Sequence, residues 1–437
     1  MTSSGVRAAN STEPFAVEGG SGPLRGQVKV PGDKSISHRA LLLAALADGP
    51  SQILGLSSGE DVLATRAAVE AMGARIDGPL LHGVGRSGLH EPARVIDVGN
   101  SGTGIRLLAG YCAALPWLTV LEGDASIAGR PMDRVVGPLR QMGAMVDGRG
   151  DGRFPPLVVR GGGLSGIDLN LAVPSAQVKG AVLLAGLGAE GETVVREWVR
   201  TRAHSEEMLA DFGADISVSA DGLTTTLRPS TLRPCNVNVP GDPSQAAFWL
   251  VAGCIVPGSE ITVIDVYVGP ARAAFLDVLN EMGADISQVR TGNTATITAR
   301  YSPDLRGVTI EGDVVPGLID EVPVLAVAAA VAEGDTEIRD AAELRLKESD
   351  RVATTVALLE RLGARSEPRA DGLIIHGGAA LRPGSVQSAG DHRIAMAAAV
   401  GALVASGTSF ITGWDAVRTS YPGFERDLAT LQAGGTR

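Results

Sequence analysis

Six segments of the chain are almost entirely apolar. They run from Ala40 to Ala47, Ile105 to Leu115, Val178 to Leu187, Ala246 to Val256, Val322 to Ala332 and Ile394 to Ala405. A helix that is apolar on every side is buried, so this pattern predicts six interior helices. Five segments are followed closely by a glycine, which favours a left-handed residue at the helix C-terminus. These glycines are Gly49, Gly191, Gly258, Gly334 and Gly407.

An amphipathic stretch that ends in Gly-Ala follows each of the first five apolar segments. The glycines are Gly73, Gly143, Gly213, Gly283 and Gly363, so successive copies are 70, 70, 70 and 80 residues apart. Residues 428–434 form a weaker sixth copy. Runs such as 261–268 and 410–412 predict strands, and 223–227 and 294–298 predict antiparallel ones. The chain is therefore expected to contain six related α/β units, longer than the common solenoid repeats.

A hexapeptide frame, Val-x-Val-Pro-Gly-Asp, occurs twice. The first copy runs from Val28 to Asp33 and the second from Val237 to Asp242, 209 residues later. The six units thus divide into two halves of three. Helices that alternate with strands predict two α/β domains with buried helices and outer sheets.

Composition narrows the function classes. The 437 residues carry a net charge of −11, which argues against general binding to nucleic acid or anionic membranes. Cys112, Cys235 and Cys254 lack metal-binding or disulfide spacing, which favours reduced cysteines and a cytoplasmic protein. No apolar run reaches the length of a membrane span, so we expect no membrane partner. Residues 1–22 are rich in Ser, Gly and Ala and are expected to form a disordered tail.

Polar residues that do not recur in every unit collect at the predicted helix starts. Near the buried helices lie Lys34, Ser35, Arg39, Asn100, Gly102, Thr103, Arg106, Ser175, Gln177, Asp320, Glu321, Asp391, His392 and Arg393. The amphipathic helices begin with Arg130, Pro131, Arg202 and residues 347–351. Taken singly, each arginine is more often part of a surface ion pair or a cap. As a set, cations beside helix N-termini predict a site for more than one phosphate or carboxylate.

Three motifs have alternative interpretations. Residues 31–39 are similar to a phosphate loop, but Asp33 separates Gly32 from Lys34, which is not the Walker A spacing. The glycine-rich run 99–104 fits a tight helix entry as well as a ligand loop. Asp320 could simply cap the helix that follows it. The histidines lack the paired spacing of metal ligands, and we expect no metal.

Together these motifs resemble the 5-enolpyruvylshikimate-3-phosphate (EPSP) synthase family over about residues 24–430. The matching pieces are residues 31–39, 99–103, 130–131, 175–177, 319–321, 346–351, 391–393 and 420–422, in order along the chain. The resemblance implies two inside-out, barrel-like α/β domains of three units each, with the active site in the cleft between them. It also implies a first domain of residues 23–31 plus 242–437 and a second of residues 32–241.

The resemblance implies a reaction as well. Members of this family transfer the carboxyvinyl group of phosphoenolpyruvate to the 5-hydroxyl of shikimate 3-phosphate and release phosphate, a step of chorismate and aromatic amino-acid biosynthesis. Addition followed by elimination through a tetrahedral intermediate requires groups that give and take protons. By position, Asp320 is expected to act as the base, Glu348 to serve proton transfer at the methylene carbon, and Lys34 to assist. The herbicide glyphosate competes with phosphoenolpyruvate in this family, and Gly102 implies a sensitive enzyme.

The binding residues carry over in the same way. Shikimate 3-phosphate is expected to contact Lys34, Ser35, Arg39, Ser175, Ala176, Gln177, Arg202, Asp320 and Lys347. Phosphoenolpyruvate is expected to contact Lys34, Gly102, Arg130, Gln177, Arg351 and Arg393. The chain departs from family patterns at Ala203, which replaces an aspartate, and at residues 418–419, where some members have a lysine. The resemblance implies no cofactor, and we expect a monomer.

Three other functions compete with this interpretation of the sequence. A UDP-N-acetylglucosamine enolpyruvyl transferase shares the fold and chemistry, but its active loop usually carries a cysteine, and none lies between Cys112 and Cys235. The second rival is a noncatalytic duplicate that only binds anions. Such a protein would bind anions more tightly without the carboxylates Asp320 and Glu348, so the presence of both argues against it. A kinase is the least favoured, since Walker A spacing is absent.

Overall fold

The computed structural model describes residues 13–435. Its α-helices are α1 (Lys34–Leu46), α2 (Glu60–Ala71), α3 (Gly85–Gly88), α4 (Gly102–Ala113), α5 (Ala125–Ala128), α6 (Asp133–Gln141), α7 (Ala176–Gly186), α8 (His204–Asp211), α9 (Pro243–Ile255), α10 (Ala274–Glu281), α11 (Val315–Leu318), α12 (Val322–Val331), α13 (Arg351–Arg361), α14 (His392–Val404) and α15 (Phe424–Gln432). Three 3-10 helices span Gly312–Val314, Ala342–Leu346 and Trp414–Thr419.

Within residues 13–435, the strands form six separate sheets. In chain order they are β1 (Phe15–Gly19), β2 (Arg25–Val28), β3 (Asp48–Leu54), β4 (Arg75–Asp77), β5 (Leu80–Val84), β6 (Ile96–Asp97), β7 (Leu118–Glu122), β8 (Met145–Arg149), β9 (Phe154–Arg160), β10 (Asp168–Asn170), β11 (Thr193–Arg196), β12 (Ile216–Val218), β13 (Thr224–Leu227), β14 (Val237–Asn238), β15 (Glu260–Tyr267), β16 (Asp285–Thr291), β17 (Thr294–Arg300), β18 (Thr309–Ile310), β19 (Asp335–Ile338), β20 (Arg365–Arg369), β21 (Gly372–His376), β22 (Ser385–Gln387) and β23 (Gly407–Thr412).

Five of the sheets have four strands in one recurring arrangement. In the order β6-β7-β9-β8, for example, the first pair is parallel and the next two pairs are antiparallel. The same arrangement holds for β14-β3-β5-β4, β10-β11-β13-β12, β2-β15-β17-β16 and β18-β19-β21-β20. The sixth sheet, β1-β23-β22, has three strands. The antiparallel pairings predicted at residues 223–227 and 294–298 are confirmed, and so is the repeated unit.

The six apolar segments form the buried helices α1, α4, α7, α9, α12 and α14, as predicted. They belong to two hydrophobic cores. The central core contains buried side chains from Ile36 to Val239 together with Tyr267, and the outer core contains residues 17–30 and 246–431. The predicted two-domain α/β fold is confirmed, and none of the sheets within residues 13–435 closes into a barrel. The exact domain boundaries stay a prediction.

The Gly-Ala repeats end the amphipathic helices in one way. Gly73 has a φ of 112°, its N–H bonds to the Glu70 carbonyl, and the Ala74 N–H bonds back to the Val69 carbonyl. This is the Schellman pattern, which glycine favours because it has no Cβ. The same two hydrogen bonds recur in the other five units, including the weaker copy at Gly434.

The predicted glycine caps of the buried helices are wrong. Helix α1 ends in an extended residue, Ala47, and Gly49 lies within strand β3. The ends of α9, α12 and α14 are extended in the same way. All five predicted glycines have positive φ, but they turn the chain toward the following strand instead of closing the helix.

Part of the predicted N-terminal tail is ordered, which corrects the sequence interpretation. Residues 15–19 form β1, which pairs antiparallel with β23. Phe15 stacks on Trp414 with ring centroids 4.0 Å apart, and Val17 is buried in the outer core. The residues at the end of this short strand alternate between exposed and buried. With β22 and β23 alone the last sheet would have two strands, and β1 is its third strand. Residues 1–12 lie outside the described residues.

The chain crosses between the two cores twice, and the two crossing segments, called the two passages below, lie side by side. Asp33 N donates to the Pro240 carbonyl at 2.7 Å, and Asp242 N donates to the Pro31 carbonyl at 2.9 Å. The repeated hexapeptides are thus paired with each other. This arrangement brings the starts of α1 and α9 together where the two cores meet.

Candidate active site

A cavity of about 540 Å³ is lined by residues from both halves of the molecule. Its walls include most residues that the sequence placed in the site, namely Lys34, Ser35, Gly102, Arg130, Ser175, Ala176, Gln177, Arg202, Asp320, Lys347, Glu348 and Arg393. Two of the expected binding residues, Arg39 and Arg351, are not part of the wall. Both are almost fully buried behind it.

Side-chain caps fix the helix starts around the cavity. Ser101 accepts from Gly104 N at 2.9 Å at the start of α4, and Ser175 accepts from Val178 N at the start of α7. Asp391 caps α14. These caps satisfy N–H groups that the helix itself leaves free, and they hold the first turns rigidly toward the cavity.

Asp320 lies in the turn between α11 and α12, surrounded by cations. Its oxygens are 2.8 Å from Arg202 Nη2, 3.1 Å from Arg351 Nη1, 3.4 Å from Lys347 Nζ and 3.9 Å from Arg393 Nη2. Burial alone raises the pKa of this carboxyl, but the four cations outweigh burial and hold the pKa well below its usual range. The carboxylate is therefore ionised at neutral pH.

The alternative in which Asp320 caps α12 is wrong. The residue at the N-cap position is Glu321, and its side chain does not cap the helix either. Pro323 occupies the first turn, where a missing N–H costs little. The Asp320 carboxylate is thus left free to face the cavity.

Glu348 is held between two arginines. Arg130 Nη2 lies 3.1 Å from Oε1, and Arg351 Nη2 donates to Oε2. Burial raises the pKa of Glu348, but Arg351, Arg130 and two further basic side chains outweigh it, so the pKa lies well below its ordinary value. An arginine that turned toward a ligand would leave Glu348 a stronger base.

Lys34 pairs with a residue that the sequence analysis missed. Its Nζ lies 2.9 Å from Asp61 Oδ2, and both side chains are largely buried. Burial raises the pKa of Asp61, while Lys34 opposes that shift. Asp61 lies in the first turn of α2, where acidic residues are common, so its position in the sequence does not indicate this role.

Gly102 is a point of close approach. A Cβ added there would lie 2.3 Å from Arg130 Nη1 and 3.1 Å from Arg106 Nη1. Arg106 donates to the carbonyls of Gly102 and Pro131 at 3.1 Å each and to Gln177 Oε1 at 2.9 Å. The missing side chain therefore leaves room for two guanidinium groups at the start of α4.

Arg39 supports the wall from behind. Its Nε donates to Ser205 Oγ at 2.7 Å, and its Nη atoms donate to the carbonyls of Ser35 and Ala176 at 3.0 and 3.2 Å. Burial lowers its pKa to about 10. Its hydrogen bonds to backbone carbonyls join the starts of α1 and α7, both of which line the cavity.

Arg134 and Glu343 form a further ion pair between the two halves, at the edge of the cavity. Arg134 Nη1 and Nη2 lie 2.9 and 3.1 Å from the two oxygens of Glu343. Burial raises the pKa of Glu343, but Arg134 outweighs burial and lowers it. Neither residue was singled out in the sequence, because a lone Arg or Glu at a helix start is common on any surface.

Within residues 13–435, no group of three or more His, Cys, Asp or Glu side chains could hold a metal ion. In the same range, no single helix is long and apolar enough to cross a membrane. The segments Gly312–Leu318 and Val322–Val331 reach that length and composition only when taken together, and they are bent by 111°.

Known proteins with similar sequences and structures show the family of this chain. Residues 19–428 match the family model described as EPSP synthase (3-phosphoshikimate 1-carboxyvinyltransferase). The chain is 53% identical over 421 residues to a 3-phosphoshikimate 1-carboxyvinyltransferase of Gloeobacter violaceus, covering 94% of this chain and 97% of that protein. An EPSP synthase structure from Acinetobacter baumannii has a TM-score of 0.83 at 40% identity and covers 96% of this chain and 98% of that one.

A more distant structure shares the fold alone. The enolpyruvyl transferase NikO from Streptomyces tendae has a TM-score of 0.78 at 21% identity, covering 96% of this chain and 98% of that chain. Two α/β halves with a cation-lined cavity between them define the class as an enolpyruvyl transferase fold. Within that class, the chain belongs to the EPSP synthase family, the 3-phosphoshikimate 1-carboxyvinyltransferases.

Proposed function

We propose that the chain transfers the enolpyruvyl group of phosphoenolpyruvate to the 5-hydroxyl of shikimate 3-phosphate and releases phosphate. Membership of the EPSP synthase family supports this reaction. The observation that carries it in the structure is the cavity itself, where Asp320 and Glu348 lie among cations from both halves. Two highly charged substrates need such cations, and the proton transfers need the carboxylates.

The two substrates are assigned to overlapping sets of residues in and behind the wall. Shikimate 3-phosphate would contact Lys34, Ser35, Arg39, Ser175, Ala176, Gln177, Arg202, Asp320 and Lys347. Phosphoenolpyruvate would contact Lys34, Gly102, Arg130, Gln177, Arg351 and Arg393. Because Arg39 and Arg351 are buried behind the wall, they would reach a ligand only after small side-chain or helix movements. The cations now paired with Asp320 and Glu348 would exchange part of that pairing for the ligands.

The proposed reaction has two stages, an addition and an elimination. In the addition, the 5-hydroxyl oxygen bonds to carbon 2 of phosphoenolpyruvate while its proton goes to Asp320. Carbon 3 takes a proton from Glu348, whose carboxyl can hold that proton once Arg130 and Arg351 have turned toward the substrates. In the elimination, carbon 3 returns its proton to Glu348, the double bond re-forms, and the bond between carbon 2 and the phosphate oxygen breaks. Phosphate leaves with the electron pair and takes up the proton held by Asp320. Lys34, close to both substrates, stabilises the charge that develops on the phosphate.

The rival functions are not favoured. The family match separates the chain from the UDP-N-acetylglucosamine enzyme. Of the three cysteines, Cys112 and Cys254 are buried in the cores and Cys235 is only partly exposed; none of them lines the cavity. A noncatalytic duplicate is disfavoured because the cavity keeps both carboxylates.

Phosphate release from phosphoenolpyruvate tests the proposal directly. Purified protein is offered shikimate 3-phosphate or UDP-N-acetylglucosamine separately, alongside the Asp320→Ala variant. We expect release with shikimate 3-phosphate alone, and loss of release in the variant. Release only with the nucleotide sugar, or with neither acceptor, rejects the proposal.

A monomeric state and a cytoplasmic location are also proposed. The monomer is supported by a cavity wall that one chain completes by itself. Light scattering coupled to gel filtration checks the mass at working concentration, and a dimer would contradict this expectation.

A further inference from the structure

The two copies of the repeated hexapeptide meet at one buried arginine. Asp33 and Asp242 end the two copies, and both accept hydrogen bonds from Arg272. The Nη2 atom of Arg272 lies 3.2 Å from Asp33 Oδ2 and 2.6 Å from Asp242 Oδ1. None of the three side chains is more than 3% exposed. One guanidinium therefore joins both passages of the chain between the cores.

A third carboxylate belongs to the same cluster. Arg272 Nη1 lies 3.3 Å from Glu321 Oε1, and Ser244 Oγ donates to the same oxygen. Glu321 directly follows Asp320 in the chain. Arg272 is thus connected to the turn that carries the proposed base.

The two aspartates also fix the start of α1. Asp33 Oδ1 accepts from Ile36 N at 2.9 Å and caps the helix, while Asp33 Oδ2 faces Arg272. Asp242 Oδ2 accepts from the backbone N of Lys34 at 3.1 Å, while Oδ1 faces Arg272. The backbone of Lys34 is therefore held by a residue that Arg272 in turn holds.

The charge balance of this cluster depends on Arg272. Asp33, Asp242 and Glu321 are three buried carboxylates that all contact the Arg272 guanidinium. Arg393 is more distant, with its Nη1 4.0 Å from Glu321 Oε1. Burial lowers the pKa of Arg272, but these carboxylates more than offset burial and hold the pKa above its ordinary value. Buried like charges that lose their shared cation repel one another and move apart. Such a movement would shift the starts of α1 and α12 relative to each other.

We propose that Arg272 is a positioning residue for the transfer reaction. Through Asp33 and Asp242 it fixes the turn that presents Lys34, and through Glu321 it fixes the turn that presents Asp320. The planar guanidinium contacts three carboxylates at once, which the single ammonium of a lysine cannot reproduce. The role rests on the proposed function, because the reaction defines what Lys34 and Asp320 must approach.

The test compares Arg272→Lys with a matched control, Arg300→Lys. Arg300 also contacts two carboxylates, Glu260 and Asp285, but on an exposed sheet surface. We expect kcat of Arg272→Lys to fall about 10- to 100-fold, since small misplacements of reacting groups cost that much. The KM values for both substrates should stay within about threefold, because the cations that bind them remain in place. The control should match the wild type.

A kcat, per site able to bind shikimate 3-phosphate, within about twofold of wild type would overturn the proposal. If the KM values rose while kcat stayed unchanged, Arg272 would be a binding residue instead. If Arg272→Lys does not fold, Asp242→Asn replaces it, since it keeps the side-chain volume and weakens the hold on Lys34; the same loss of kcat at nearly constant KM is expected.

A separate readout distinguishes this proposal from the proposed function. Wild-type protein without turnover rejects the function, but hydrogen exchange still tests the positioning. The backbone amides of Lys34 and Ile36 should exchange faster in Arg272→Lys than in Arg300→Lys. Equal exchange rates in the two variants would overturn the positioning role.

Discussion

Arg202 and Asp320 form an ion pair across the cleft, with Arg202 Nη2 2.8 Å from Asp320 Oδ2. Arg202 precedes α8 and Asp320 precedes α12, so the pair joins the two halves. Asp320 is ionised and paired with cations, which lower its affinity for a proton. It becomes an effective base only when some of these cations move away from it to contact a ligand. The pair therefore links substrate binding to the basicity of Asp320.

Removing one of these cations should change the pH dependence of kcat on its acid side, which is the acid limb of the pH profile. Asp320 acts as a base in its ionised form, so activity is lost as pH falls through its pKa. In Arg202→Gln that pKa rises, because a cation that lowered it is gone. We expect the acid limb of kcat, measured with saturating substrates, to shift to higher pH. The control is Arg196→Gln, which breaks an exposed pair with Asp168; an identical limb in both variants would contradict the prediction.

Glu348→Gln should separate proton transfer from binding. The amide keeps the shape of the side chain but cannot carry the proton that carbon 3 must gain and lose. We expect kcat to fall by about 10²- to 10⁴-fold while the Kd for shikimate 3-phosphate changes little. Steady-state kinetics and calorimetric titration measure the two quantities. A variant that keeps more than a third of the wild-type kcat would remove Glu348 from the proton-transfer step.

Gly102→Ala should weaken phosphoenolpyruvate binding. The new Cβ would lie 2.3 Å from Arg130 Nη1, so the guanidinium must move away from its present place. We expect a higher KM for phosphoenolpyruvate and weaker inhibition by glyphosate, with the KM for shikimate 3-phosphate nearly unchanged. Gly137→Ala is the matched control, since a Cβ there meets nothing within 4 Å. Equal KM values for the two variants would disprove this account.

Lys347 should set an alkaline limit for binding shikimate 3-phosphate. Burial lowers its pKa, Asp320 opposes the shift, and the net change is downward. The ammonium is charged below its pKa, so its attraction for a phosphate is lost as pH rises through that value, earlier than for an exposed lysine. We expect kcat/KM for shikimate 3-phosphate to fall on the alkaline side. Lys347→Arg should move that fall to higher pH, and an unmoved limb would assign it to another group.

The ion pair of Arg134 and Glu343 should help to keep the halves together. Its two short contacts join α6 to the 3-10 helix at residues 342–346. We expect shikimate 3-phosphate to draw the halves together and lower the radius of gyration in small-angle X-ray scattering. Arg134→Ala should be more open than wild type before the ligand is added. Scattering that does not respond to the ligand in either protein would argue against closure.

Local patterns in the sequence were sufficient for the repeated scaffold. A run of apolar residues can only be stable inside, so the six buried helices followed directly from Ala40 to Ala47 and its counterparts. The Gly-Ala repeats predicted helix ends because a left-handed cap favours glycine. The glycines near the buried helices led to a wrong prediction of helix caps. Gly49, for example, has a positive φ because the chain turns there into a strand, and it does not cap the helix.

The tail shows where local pattern fails. Residues 15–19 are too short and too weakly patterned to predict a strand alone, and β1 exists only because β23 offers it an edge. A strand of this kind depends on a partner almost four hundred residues away. No window of neighbouring sequence contains that partner.

Patterns along the chain are sufficient to predict the six-unit α/β scaffold and, through the motifs, the polar residues at the helix starts. The partners of these residues become visible only in the folded molecule: Asp61 for Lys34, Arg202 for Asp320, and Arg272 for the two repeated aspartates. Periodicity and capping act over a few residues, whereas a buried charge is stabilised by whatever opposite charge the fold brings within a few ångströms.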